Sequence, residues 1–234
     1  MITFAHRGAR AEEPENTIRA FRRALEQGAA GLETDAWLSA DHEVVLCHDD
    51  VVRRGLRRHQ VARTSAAELA RLADVPRLAD LYETLGTDFE LSIDVKARAA
   101  EAPIVEVARR FGAAERLWLC TPELDRAVEI AAEPDVHAVH STLKGFIEAP
   151  IERHAALLGE HGVGAMNMHR TEWTAGLVSL FHRFDVRAFA WDVQEERHIR
   201  AMLRIDVDAL YCDRPDRMVR TVEAWNASTE TRSD

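Results

Sequence analysis

A histidine, an arginine and a glycine stand side by side near the start of the chain, His6, Arg7 and Gly8 in AHRGARAEEPENT. Further along, Glu33 and Asp35 lie two residues apart in GLETDAWL, so on a strand both project from one face. His48 and Asp49 follow in VVLCHDD, Asp94 and Lys96 in SIDVK, Trp191 in FAWD and Asp213 in YCDRPD. Brought to one place, even three of these carboxylates with two imidazoles, a guanidinium and an ammonium would repel or leave buried charge uncompensated unless something organised them. A hard divalent cation held by carboxylate oxygens is the natural organiser, because such ions take oxygen ligands and keep positions open for water and substrate. His6 and His48 are then free to donate and accept protons, and Arg7 and Lys96 to grip an anion. A metal, two imidazoles and two cations around a tetrahedral anion amount to a site for phosphoryl transfer.

The elements that must position these groups alternate along the chain. Strand patterns occupy 2–6, 31–38, 43–48, 89–95, 116–120, 136–140, 164–168, 186–191 and 208–212. Helix patterns occupy 17–27, 78–85, 102–111, 122–132, 147–161, 174–184, 195–204 and 215–225. Gly28 is expected to stop the first helix, and Thr121 to cap one that opens on Pro122. The link at 39–42 is too short for a parallel crossover, so strand 43–48 must fold back as a hairpin arm. Eight strand–helix units remain, which predicts an α/β fold of the TIM (β/α)8 barrel type. Every residue singled out above stands at a strand's carboxyl end, where such barrels carry their chemistry. A doubly wound open sheet is the alternative that the same alternation allows. Residues 60–76 read as an irregular excursion over the barrel mouth, residues 1–226 as one domain, and 227–234 as a flexible tail.

Composition narrows the function classes. Forty acidic against thirty basic side chains give a net charge of −10, which argues against nucleic acid as a partner. An anionic substrate must therefore be met by local cations. Cys47, Cys120 and Cys212 are odd in number, widely spaced and set in apolar runs, which fits buried free thiols of a reducing, cytoplasmic compartment. No apolar run reaches the ~20 residues of a membrane span, so no stable membrane insertion is expected.

The ordered set AHRG…PENT, GLETDAWLSAD, VVLCHDD…R, IDVK, FAWDVQ and YCDRPD resembles the glycerophosphodiester phosphodiesterase family from the first residues to about Met218. That resemblance implies a TIM barrel that hydrolyses small-molecule glycerophosphodiesters to glycerol 3-phosphate and an alcohol, in lipid and glycerol metabolism. It also implies one divalent metal ion, Mg²⁺ or Ca²⁺, as cofactor. His6 and His48 match the family's acid/base pair, and Glu33 and Asp35 its metal ligands. Asp94 stands where the family usually has a metal-binding Glu. Arg7 and Lys96 match phosphate contacts, and Trp191 the aromatic at the substrate pocket.

The chain departs from the family at several points. Asp94 is one methylene shorter than Glu, and the segment after Asp49, VVRRGLRRHQVARTS, is short and Arg-rich where relatives often carry a longer insertion. Its Arg53, Arg54, Arg57 and Arg58 read either as a solvated face or as a patch that meets an anionic head group. Asp192 replaces a Thr after the Trp, and Cys212 one before Asp213. Asn167 and His169 alternate with Met166 and Met168, so one pair faces the barrel interior; Asn167 and His169 are candidate substrate contacts, with His140 a weaker one. His169 reads otherwise as a helix cap, and Glu15 and Asn16 as structural, with Asn16 or Thr17 capping the first helix. Two competing readings share the scaffold, a lysophospholipase D or sphingomyelinase D-like lipid phosphodiesterase and a non-catalytic binding barrel. The intact PENT and HDD weigh against the first, and the complete set of polar groups against the second.

Overall fold

The computed structural model describes residues 1–143 and 150–230. Eight parallel strands form a closed ring: β1 (Ile2–His6), β2 (Gly31–Leu38), β6 (Glu90–Val95), β7 (Leu117–Thr121), β8 (His137–Ser141), β9 (Ala165–His169), β10 (Arg187–Trp191) and β11 (Ala209–Cys212). Closure is explicit, since β1 pairs with both β2 and β11. The expected hairpin arm is β3 (Val44–Leu46), antiparallel to the end of β2 with Ala36 opposite Leu46. A second small hairpin, β4 (Val51–Arg54) and β5 (Arg57–Gln60), follows it.

The ring is wrapped by α1 (Ile18–Glu26), α3 (Leu78–Leu85), α4 (Glu101–Arg110), α5 (Leu124–Ala131), α6 (Ile151–Glu160), α7 (Ala175–His182), α8 (Glu196–Arg204) and α9 (Pro215–Glu230). One further helix, α2 (Ala66–Ala73), lies within the stretch expected to be irregular. Ser65 caps it by accepting from the Glu68 amide, a local signal of the kind that opens helices. Two other expectations change at helix ends. Thr121 belongs to β7, and Glu123 is the residue before α5. Helix α9 runs to Glu230, through the start of the segment expected to be a flexible tail. The first turn of the helix expected from 147, residues 147–149, lies outside the described residues.

Strand parity separates two cores. Leu32, Ala36, Leu91, Ile93, Leu117, Leu119, Met166, Met168, Ala188 and Ala190 point outward and join the helices in the main core. Phe4, Trp118, Cys120, Val139, Ala165, Phe189, Ala209 and Tyr211 point inward and fill the barrel. There Phe4 stacks on Tyr211 with ring centroids 4.9 Å apart, and Trp118 tilts against Phe189 at 5.1 Å. Gly31 belongs to this inner face, since a Cβ there would meet the Phe4 ring at 2.7 Å. The aromatic layer therefore makes a solid floor, and only residues above it can form a cavity.

Gly8 explains the third letter of the opening motif. Its φ of +79° is left-handed, and an added Cβ would fall 2.6 Å from the Ala20 backbone carbon in α1. The next amide, Ala9 N, donates to Ala20 O at 2.9 Å, so the rim loop is bolted against the first helix. Gly8→Ala is expected to cost ~2–4 kcal/mol, the sum of backbone strain and overpacking, read as a lowered urea midpoint with an unchanged slope.

Candidate active site

Inward parity continues above the floor, where the layer becomes polar. His6 ends β1, Glu33 and Asp35 lie on β2, Ser92 and Asp94 on β6, and Trp191 ends β10. Parallel register sets His6 beside Glu33 and Asp35 beside Asp94. One carboxylate oxygen from each of Glu33, Asp35 and Asp94 lies within 4.8 Å of the others. The β2–β3 turn then returns Cys47, whose amide donates to Asp35 O at 3.0 Å, and this sets His48 at the same rim.

The charges are balanced by short contacts. Lys96 Nζ lies 2.8 Å from Asp35 Oδ1 and 3.2 Å from Asp94 Oδ2, while Arg7 Nε lies 3.1 Å from Asp35 Oδ2. Arg7 has a left-handed φ of 55°, a conformation that costs energy in a side-chain-bearing residue. That turn lets its own amide donate to Glu33 Oε2 at 3.0 Å. The Asp35 carboxyl falls below its usual range because Lys96 and Arg7 outweigh the burial that would raise it. Glu33 goes the other way: burial, reinforced by Asp35 and Asp94 and opposed by His6 and Arg7, pushes it up to about 8. Three crowded hard oxygens, one of them reluctant to ionise, suit a divalent cation, whose charge would reverse that reluctance.

Both histidines are oriented by carboxylates. His6 Nδ1–H donates to Asp213 Oδ1 at 2.6 Å, which leaves Nε2 facing Glu33 Oε2 at 3.8 Å. Burial alone would lower the His6 pKa, but Glu33 and Asp213 outweigh it and the net shift is upward. His48 Nδ1 likewise pairs with Asp49 Oδ1 at 2.8 Å.

A cavity of about 690 Å³ opens over this cluster. His6, Arg7, Glu33, His48, Asp94, Lys96, Asn167 and Trp191 all line it. Asp35 lies behind the wall, only 1% exposed, where it keeps an oxygen in the carboxylate cluster and holds Arg7 and Lys96. His169 does not line the cavity either, and Thr174 rather than His169 caps α7. Its Nε2 meets Asp192 Oδ2 at 3.0 Å, and its ring packs edge-on against Trp191 with centroids 4.6 Å apart. His140 has outward parity: Nε2–H donates to Pro122 O at 3.1 Å, and Nδ1 accepts from His154 Nε2 at 3.0 Å. Burial beside His154 pushes its pKa down to about 4, so it is a neutral packing residue behind the barrel wall.

A match to the glycerophosphoryl diester phosphodiesterase family covers residues 6–217. The chain belongs to that family. Among its relatives, the glycerophosphodiester phosphodiesterase of Caldanaerobacter subterraneus subsp. tengcongensis is 25% identical over 94% of this chain and 97% of its own. A crystal structure of glycerophosphodiester phosphodiesterase from Thermotoga maritima superposes with a TM-score of 0.83 at 23% identity, covering 94% of this chain and 97% of that one. A phosphodiesterase from Oleispira antarctica, solved in complex with the product sn-glycerol-3-phosphate, gives a TM-score of 0.80 at 21% identity over 95% and 97% of the two chains.

Within this phosphodiesterase barrel, several site residues escape sequence reasoning. Asn16, read as a cap, is buried and donates from Nδ2 to Asp35 Oδ2 at 3.2 Å while Thr34 donates to its Oδ1; Thr17 is the cap. Glu15 meets both Arg7 and Arg10 at 3.0 Å. Arg126 and Glu123, at the start of α5, form a pair at 2.7 Å in the cavity lining, from a stretch that carried no motif. Asp213 was visible as a strand-end residue, but nothing in the sequence linked it to His6 across 207 positions. Asp213→Asn removes the negative charge beside Nδ1, so the His6 pKa is expected to fall, with the folded spectrum retained. An NMR titration of the ring checks the direction of that shift.

Proposed function

We propose that the protein is a metal-dependent hydrolase of glycerophosphodiesters, releasing glycerol 3-phosphate and an alcohol, with His6 and His48 as its acid/base pair. The observation that carries this reading is the convergence of three crowded carboxylates with two carboxylate-oriented imidazoles and two cations over one cavity. Glu33, Asp35 and Asp94 are the ligands for one divalent cation, Mg²⁺ or Ca²⁺. When bound, that cation neutralises charge on the phosphoryl oxygens.

His6 is the proton donor in this reading. Glu33 and Asp213 favour its protonated form, and Nε2 is the ring nitrogen left to face the substrate. His48, more exposed and held only through Nδ1, accepts the proton of the attacking group. If that group is water, glycerol 3-phosphate forms directly; attack by the neighbouring glycerol hydroxyl gives a cyclic phosphate first. Arg7 and Lys96, fixed by Asp35, offer their remaining N–H groups to the phosphate. Trp191 supplies an apolar wall whose tilt is set by His169. Asn167, whose Nδ2 donates to Ser141 Oγ at 3.2 Å, adds a polar stretch to the cavity lining. The three free thiols, two of them buried, agree with a reducing, cytoplasmic setting.

Incubation with glycerophosphocholine, glycerophosphoethanolamine and lysophosphatidylcholine, with Mg²⁺, Ca²⁺ or chelator, tests the reading. Turnover of the water-soluble diesters that chelation abolishes is expected; turnover that survives chelation rejects the metal assignment. His6→Ala and His48→Ala should each lower kcat by ~10²–10⁴-fold without unfolding the barrel. The sign of the pH dependence follows from the role of His6. An acid with a raised pKa remains protonated below that pKa and is lost as pH rises through it, which gives the alkaline limb of kcat/KM. Asp213→Asn should therefore move that limb to lower pH.

A further inference from the structure

The β4–β5 hairpin is costly as a free-standing structure. Its register sets Arg53 opposite Arg58 and Arg54 opposite Arg57, and like charges directly across a ladder destabilise it. None of these four exposed guanidiniums has a carboxylate at ion-pair distance among the described residues, in a chain with forty acids against thirty bases. The tip is a two-residue turn, Gly55-Leu56, with Gly55 at φ 59° and Leu56 fully exposed. The base, by contrast, is built to hold: Val52 is buried with Val45, Val61, Ala66, Leu69 and Val75. Beside the hairpin lies an open hollow of about 540 Å³ lined by Arg58, His59 and Arg63. His59 Nε2 is sealed from solvent there without a hydrogen-bond partner among the described residues. The hairpin leaves the chain just after His48 and Asp49, and His48 and Arg53 line one shared groove, so it stands at the active-site end of the barrel.

We propose that this hairpin docks the protein on an anionic lipid surface, with Arg53, Arg54, Arg57 and Arg58 on head-group phosphates and Leu56 in the interfacial layer. The chemistry favours a membrane over another polyanion. An apolar side chain at the most projecting point has no use on a nucleic acid but is rewarded in a lipid interface. The net charge of −10 opposes an extended polyanion that would follow the surface, whereas a flat bilayer touched only by the tip senses mainly charge within the ~8 Å screening length. The contact would hold the cavity mouth near the surface without inserting a span, and no helix among the described residues is long and apolar enough to make one.

Co-sedimentation of the full chain with vesicles tests this. The wild type is expected to pellet with phosphatidylcholine vesicles containing phosphatidylglycerol, to stay in solution with phosphatidylcholine alone, and to be released by high salt. R54Q/R57Q should weaken partitioning by ~30-fold, at about fivefold per arginine, and Leu56→Ser by several-fold, with unchanged circular dichroism. Absence of wild-type binding to anionic vesicles at low salt overturns the proposal. So does undiminished binding by the folded R54Q/R57Q variant, or capture of wild type by duplex DNA in preference to the vesicles.

Discussion

Three carboxylates crowded within 4.8 Å at the ends of two adjacent strands are the constraint around which the rim is organised. At that separation the repulsion cannot be left to solvent, and each neighbour answers it. Lys96, just past the end of β6, reaches back to Asp94 and across to Asp35, so one ammonium serves two acids. Arg7 accepts a left-handed backbone so that its amide serves Glu33 while its guanidinium serves Asp35. Asn16 takes the same strained conformation with φ 55°, and from it donates to Asp35. Left-handed geometry carries a cost, larger for Arg7 than for Asn16, since Asn adopts it readily. It is retained here because it aims donors at carboxylates.

The same electrostatics tie His6 to the carboxylate cluster. His6 has Glu33 on one side and Asp213 on the other, so any cation seated among Glu33, Asp35 and Asp94 also acts on the imidazole. Asp213 lies outside the three-carboxylate cluster and keeps a direct hold on Nδ1 whatever occupies it. That division lets one residue fix the tautomer while another senses the site's charge. His48 pairs with Asp49, which is exposed, so the two imidazoles are unequal in environment although the sequence presents them as equals.

Much of this was legible from sequence because barrels translate order into place. Period-two spacing put Glu33 with Asp35 on one face and Asp94 with Lys96 on another, and strand ends put all four at one rim. Parity also decides between His140 and Asn167, one facing the helices and the other the cavity, but only once the register is known. What escaped was long-range or irregular. The His6–Asp213 bond needs the barrel to close, the Arg126–Glu123 wall comes from a helix with ordinary periodicity, and Asn16 looked like a cap because Thr17 beside it is one. Helix α2 was written in the sequence all along, as Ser65-x-x-Glu68 opening a run of Ala, Leu, Glu and Arg, and it carries the buried Leu69 on which the Arg-rich hairpin rests.

Asp94 shows how a departure from a family pattern is absorbed. A carboxylate one methylene shorter than Glu must sit nearer its own backbone, and register with Asp35 on the neighbouring strand supplies that proximity. Its oxygen still falls within the 4.8 Å cluster, and Lys96 two residues on pins it toward Asp35. Asp94 shares the cavity lining with Glu123 and Arg126, which follow the neighbouring strand β7. The shorter side chain at this position is thus absorbed by contacts within the rim. Asp192, which replaces a neutral residue after Trp191, has the same character. Its carboxylate is met by His169 and Arg170, so it stiffens the aromatic wall instead of adding a free charge to it.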